Sequence, residues 1–583
     1  MLKRILLSLC LISAAALRAG TPFPALLDAY YEEYIALYPI DAAGFGDSDR
    51  RYEAVWPVEI GTGHRAKVAA LCDKYLAALG QVDRAALSPT EQLSYDTLKW
   101  TLTARREQGR QFFHLTPVNQ FSCPTLTFAQ MASGKGLHPF KTEQDYRNFI
   151  SRARGFSTWI DTAIANMKEG VGKGIVQPRI LMERVLPQLE PLLSDDRAKN
   201  ILFGPLAMVP ADLPGAAREK LVADYTAAIR EIMIPAYARL HAYIQTDYLP
   251  HCRDTAGIGS LPGGAAAYAS AVRWNTTTDF TPEQIHEIGL REVTRIKGEM
   301  EKVQAQVGFK GTLAQFLNFV ATDPQFAPYK TEDAVLDGYR AIEARVMAQV
   351  SNFFGHLPRT KFEIRATEKF RAATASAEYL PGAADGSRPG VFYVPIVDPL
   401  AFRNPRMEDL FLHEAIPGHH FQLSLTLENG SLPKFRRYDG NNAYIEGWAL
   451  YTESLGKELG MFQDPYQYLG MLFGDMHRAV RLVVDTGLHA KGWTREQALQ
   501  YGADAEGGKP EVQIAEIERY MSWPGQALGY KMGQLKIREL RTMAEKQLGP
   551  KFDIKEFHDQ ILMEGALPLS VLEGRVKAWA ASR

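Results

Sequence analysis

Apolar residues recur at spacings of three and four along most of the chain from about Thr21 to Tyr248. The stretches FPALLDAYYEEYIALYP, HRAKVAALCDKYLAALG and AAREKLVADYTAAIREIMIPAYARLHAYIQ carry the stripe that one buried face of an amphipathic helix requires, and they predict a helical lobe. A Gly-rich break, GIGSLPGGAAAY (257–268), interrupts the pattern. TPEQIHEIGLREVTRIKGEMEKVQAQVG then predicts a long helix, with Thr281 as N-cap and Pro282 at its first position. A soft boundary near residue 255 follows, dividing an N-terminal helical lobe (20–255) from a second helical lobe (256–583) within one continuous domain. Between about Lys361 and Pro399 the pattern changes. FEIRATE and GVFYVPIV are β-branched and aromatic, LPGAADGSRPG between them is turn chemistry, and two short strands are expected. Helical spacing returns at MEDLFLHEAIPGHHFQLSLTLENG and lasts to the end. The expected fold is mainly α: a large multi-helix structure with a short β-hairpin or small sheet beside the helix at His413, and a cleft between helical lobes.

The first twenty residues read differently. Lys3 and Arg4 precede an apolar run from Ile5 to Leu17, and small residues follow, which is the layout of a secretory signal over residues 1–19 cleaved after Ala19 or Ala16. That run falls short of the ~20 residues a bilayer span needs, and no comparable stretch comes later, so a periplasmic or secreted protein without a transmembrane segment is expected. Cys10 lies inside the run but lacks the small preceding residue of a lipoprotein cleavage site. Over the whole 583-residue chain, 46% apolar and 23% charged residues exclude disorder, and 66 Lys+Arg against 67 Asp+Glu leave no electrostatic footprint for nucleic acid. Past the signal stand Cys72, Cys123 and Cys252, which allow at most one disulfide; Cys123 and Cys252 are the candidates for it, with free buried thiols as the alternative.

One segment carries chemistry: His413-Glu414-Ala415-Ile416-Pro417-Gly418-His419-His420. Zn2+ needs imidazoles and carboxylates converging on one point, and a Glu beside a ligand histidine can accept a proton from water activated by the metal. In a His-Glu-x-x-His helix the two histidines share a face, but here Pro417 stands where the second histidine belongs. On an unbroken helix His419 points about 120° away from His413, and His420 regains the face about 10 Å further along. Pro417 and Gly418 permit a break that loops residues out, so His419, directly after glycine, is favoured as second ligand, with His420 the rival. Glu446 in NNAYIEGWALY, 27 residues beyond His419, is the expected third ligand. Glu453, seven further on the same face, is a partner behind the ligands or surface; Asp409, four before His413, is placed to accept from that histidine's other nitrogen.

HEAIPGHHFQ, YIEGWALYTESLG, RLVVDTGLHAKGWT and ERYMSWPGQALGYKMGQLKIREL, with RWNTTTDFTPEQIHEIG and GSRPGVFYVP further toward the N-terminus, resemble the bacterial domain-of-unknown-function family 885 over most of the mature chain. That family is similar at a distance to the α-helical gluzincin zinc metallopeptidases, which include angiotensin-converting enzyme and oligopeptidases. The resemblance implies His413, His419 or His420, and Glu446 as zinc ligands and Glu414 as general base; the longer insertion between the histidines is the departure. Tyr530 and His489 lie in matching segments and are candidates to stabilise an oxyanion. Arg481 and Arg519 are candidates to hold a substrate carboxylate or to sit in buried ion pairs. Tyr393 lies on GVFYVPIV, whose edge is a candidate to bind extended peptide. The expected activity is zinc-dependent hydrolysis of short peptides; hydrolysis of another amide or ester, or non-catalytic binding in the periplasm, are the alternatives.

Overall fold

The periodic stretches are helices. The computed structural model describes residues 22–583 apart from 45–48, 135, 370–371, 373–374 and 383–387, so the expected signal at 1–19 lies outside the described residues. Helices α1 (Phe23–Leu37), α2 (Pro89–Gln108) and α3 (Glu143–Lys173) belong to the first lobe, and α4 (Gly264–Thr276) follows the Gly-rich break. α5 (Pro282–Gln306) starts where the sequence predicts: the Thr281 side chain accepts from Gln284 N, Gln284 returns the bond, and Pro282 occupies the first turn. One apolar core takes residues from both sides of position 255, from Trp56 through Tyr248 to Ala580, so the two stretches share it. A smaller cluster packs α1 and α2 against Leu427, Phe435 and Tyr438 from the second lobe.

The strands are β1 (Phe362–Ala366), β2 (Glu378–Leu380) and β3 (Gly390–Val394), in the order β1-β3-β2. FEIRA and GVFYV therefore do not form a hairpin. They pair in parallel, Ile364 opposite Phe392, and the intervening chain supplies a third strand antiparallel to β3, with Tyr379 opposite Phe392. This corrects the expected role of Tyr393: β3 is central, with a neighbour on either side, so GVFYV has no free edge for a peptide. The edge on that side belongs to β2. Cys123 and Cys252 are free buried thiols rather than a disulfide, as is Cys72.

Five helices carry the chemistry: α6 (Met407–Glu414), α7 (His419–Glu428), α8 (Asn442–Ser454), α9 (Pro465–Ala490) and, after α10 (Ile514–Ser522), α11 (Leu528–Leu548). α8 and α11 run parallel, since Asn442 donates to Gln526 O (2.7 Å), Gln534 to Leu450 O (3.2 Å) and Arg538 to Ser454 O (2.9 Å) in ascending order. They touch through glycines. A Cβ on Gly533 would stand 1.9 Å from Ala443 O, and one on Gly447 2.4 Å from Gly533 Cα. That close approach locks the helix bearing Glu446 against the helix bearing Tyr530. No helix among the described residues is long and apolar enough to cross a membrane.

Candidate metal centre

α6 ends at Glu414 and α7 begins at His419; Ala415 to Gly418 break the helix between them. The path is tight. A Cβ on Gly418 would lie 1.8 Å from His413 O and 2.3 Å from Leu412 O, so only glycine lets the chain double back over the end of α6. α8 pins this crossing: Trp448 Nε1 donates to Pro417 O at 2.9 Å and Thr452 Oγ1 to Leu412 O at 2.8 Å.

The break returns His419 to His413, with ring centroids 4.8 Å apart at 87°. The Nε2 atoms of His413 and His419 lie 3.6 and 3.5 Å from the same oxygen of Glu446. These three residues are the one metal-ligating group found among the described residues, their ligand atoms all within 4.8 Å of one another. Tetrahedral ligands ~2.0–2.1 Å from zinc stand ~3.3–3.4 Å apart, so the donor set and its spacing fit zinc. Burial works against a charge on Glu446, yet bonds from His413 and His419 hold its carboxyl well below the usual range. Burial opposes a charged His413 too, but Glu446 and Glu453 raise it to about 10. A divalent cation among the three would take over this attraction, with both imidazoles neutral.

His413 Nδ1 donates to Glu453 Oε1 at 2.6 Å. That is the place expected for Asp409, and the structure corrects it: the imidazole turns across to α8 instead of back along its own helix. Asp409 sits behind, accepting from Arg406 at 3.0 Å. Burial, and then the neighbouring Glu453 charge, push its carboxyl well up. Glu414 is 7% exposed, and its carboxylate makes no hydrogen bond or ion pair among the described residues. Burial pushes its pKa up.

His420 is turned away from the triad. Its Nδ1 lies 2.8 Å from Tyr379 Oη and 3.3 Å from Ser424 Oγ, its ring packs 4.6 Å from Phe362, and burial lowers it to about 4. It ties α7 to the sheet. His489 is likewise committed: Ile258 N donates to its Nδ1 at 3.1 Å, its Nε2 donates to Tyr520 O at 3.0 Å, and burial lowers it to about 3. With both nitrogens bound to backbone it has no donor left for an oxyanion, which corrects that expectation.

Tyr530, Arg481 and Arg519 come together. The Arg481 guanidinium stands 4.5 Å from the Tyr530 ring centroid, and Arg519 Nη2 lies 3.4 Å from Tyr530 Oη. Both arginines pair with Glu516, at 3.0 and 3.3 Å, so the ion-pair role expected as the alternative is the one seen. Glu446 precedes Gly447 by about 100° of helix, and Tyr530 stands about 60° the opposite way from Gly533; on facing parallel helices these rotations turn both side chains to the same side. Sequence reasoning missed Arg478, whose Nη1 lies 3.3 Å from where a Cβ on Gly474 would sit, beside Asp409 Oδ2 at 2.9 Å from that point. Its one signal is its place a helical turn before Arg481.

The chain belongs to the family described as "Bacterial protein of unknown function (DUF885)", which matches residues 39–576. It is similar in structure to "the putative lipoprotein from Colwellia psychrerythraea", at 29% identity and TM-score 0.87 over 96% of this chain and 99% of that one. It is also similar to "a putative lipoprotein of unknown function from Shewanella oneidensis", at 20% identity and TM-score 0.73 over 95% and 99%. An overlay on "a putative oligoendopeptidase F from Bacillus anthracis str. Ames" gives 11% identity and a TM-score of 0.27 over 96% of each chain, too poor to count as a shared fold. No curated protein matches the chain.

Proposed function

We infer that this member of the family is an extracytoplasmic zinc metallopeptidase acting on short peptides. The observation that carries the reading is the convergence of His413, His419 and Glu446 on one point, with the buried carboxylate of Glu414, unbonded among the described residues, next to the first ligand. Zinc held by those three residues supplies a Lewis acid for the scissile carbonyl and lowers the pKa of water. Glu414 takes the proton of the attacking water and passes it to the leaving amine, a task for a carboxyl whose affinity for the proton burial raises. Glu453 holds the Nδ1–H tautomer of His413, leaving the Nε2 lone pair facing Glu446 and His419. Tyr530 is the candidate to donate to the developing oxyanion; Arg481 and Arg519 lie beside it, both paired with Glu516. An export address is supported by the Lys3–Arg4 leader and by the similar structures described as "putative lipoprotein".

Digestion of a short-peptide library by the zinc-loaded protein, read by mass spectrometry, tests the reading. Cleavage at defined bonds, abolished by chelation and restored by zinc, is the expected result. A library left intact, while acyl-amide or ester substrates turn over, replaces peptides with another substrate class.

A further inference from the structure

The chain next to two of the three ligands is apolar and only partly buried. Leu423 stands four residues after His419 on α7, and Ile445 immediately precedes Glu446 on α8. These helices run antiparallel, with Gln422 Nε2 donating to Tyr444 O (3.3 Å) and Trp448 Nε1 to Pro417 O (2.9 Å). Leu423 therefore stands on the His419 face of α7 about one turn, or ~6 Å, further along, and Ile445 lies about 1.5 Å before Glu446 on α8. Together with Leu427, Ala566 and Pro381 they line a cavity of about 200 Å³. Pro381 directly follows β2, whose Tyr379 holds His420, so this wall is tied to the same helix as the metal ligand.

An aliphatic cavity of ~150 Å³ is large enough to hold a benzene ring. We propose that the cavity is the specificity pocket of the metal centre, receiving an apolar side chain of leucine to phenylalanine size from the substrate residue that flanks the cleaved bond. The proposal rests on the hydrolase reading and adds to it the substrate's side-chain class. Cationic side chains are rejected because the Leu423, Ile445 and Leu427 walls offer them no partner. Two charged residues border the cavity: Asp439, already 4.0 Å from Arg105, and Arg437, whose buried Nε has no hydrogen-bond partner among the described residues. Burying a leucine-sized group in place of glycine is worth about 10- to 100-fold in kcat/KM.

The test uses the zinc-loaded protein and Ala566→Phe, which fills the cavity from the wall away from the ligands, with Leu423→Trp as a second filling variant should the first fail to fold. Peptides with Leu or Phe beside the cleaved bond are expected to exceed their glycine counterparts by about 10- to 100-fold. The filled variant, with zinc content unchanged, is expected to lose that preference and favour small residues. Equal rates for all side chains, or a preference that survives filling, overturns the pocket and leaves the hydrolase reading standing. If no peptide is cleaved at all, calorimetric binding of leucine amide and glycine amide still decides. Tighter binding of leucine amide that Ala566→Phe abolishes supports the pocket, and equal binding overturns it.

Discussion

Glu414→Gln is expected to retain zinc and lose turnover by about 10²- to 10⁴-fold, the range that a positioned general base supplies. The substitution isolates one property. Gln keeps the size of the side chain, and no hydrogen bond or ion pair among the described residues is broken by removing the charge. Burial already disfavours the ionised form of Glu414, so the neutral amide costs no folding stability. Elemental analysis and peptide hydrolysis measured on the same preparation separate the two effects. A variant with near-normal kcat/KM would assign the proton transfer to another group.

Gly418→Ala is expected to cost on the order of 3 kcal/mol in stability and to weaken zinc binding by at least about 10-fold. The added methyl would lie 1.8 Å from His413 O and 2.3 Å from Leu412 O, and both are backbone atoms. Neither can yield cheaply, because Leu412 O is bonded by Thr452 Oγ1 and the loop is held by Trp448 Nε1 on Pro417 O. The chain must open, and His419 moves with it. Gly430→Ala, two residues beyond the end of α7 with nothing within 4 Å of its would-be Cβ, is the control and should leave both quantities unchanged. Thermal unfolding and zinc titration of the two variants make the comparison. Equal behaviour would mean that the break does not depend on a missing Cβ.

Much of the helical architecture is legible in the chain because it is written locally. The Thr281–Pro282 start of α5 is an N-cap followed by a first-turn proline, and both signals act within four residues. The sheet is less legible. β2 is three residues long, too short for a period-2 pattern to register, and the parallel pairing of β1 with β3 depends on where the intervening chain crosses, which turn chemistry alone does not encode.

The site divides along the same line. Pro417 and Gly418 announce a break in the helix, and the chemical reason for one is legible, but the choice between His419 and His420 is made by backbone carbonyls at the end of α6 that no residue spacing reports. Helix phase alone favours His420, the residue that the structure gives instead to Tyr379. Asp409 is the near neighbour of His413 by sequence, yet the ring reaches Glu453 forty residues away, because α6 and α8 pack side by side. His489 is visible as a histidine in a matching segment; its two backbone bonds, to Ile258 and Tyr520, are tertiary and have no local signature.

The central claim is that His413, His419 and Glu446 hold one zinc ion while His420 holds the fold. Zinc content per chain, measured on the wild type, His419→Ala and His420→Ala purified under the same conditions, tests it most directly. About one equivalent in the wild type is expected, with a sharp loss in His419→Ala and retention in His420→Ala, whose deficit appears as lowered thermal stability from the lost Tyr379 bond. Retention in His419→Ala with loss in His420→Ala, or a wild type that takes up no zinc when zinc is supplied, would contradict the account.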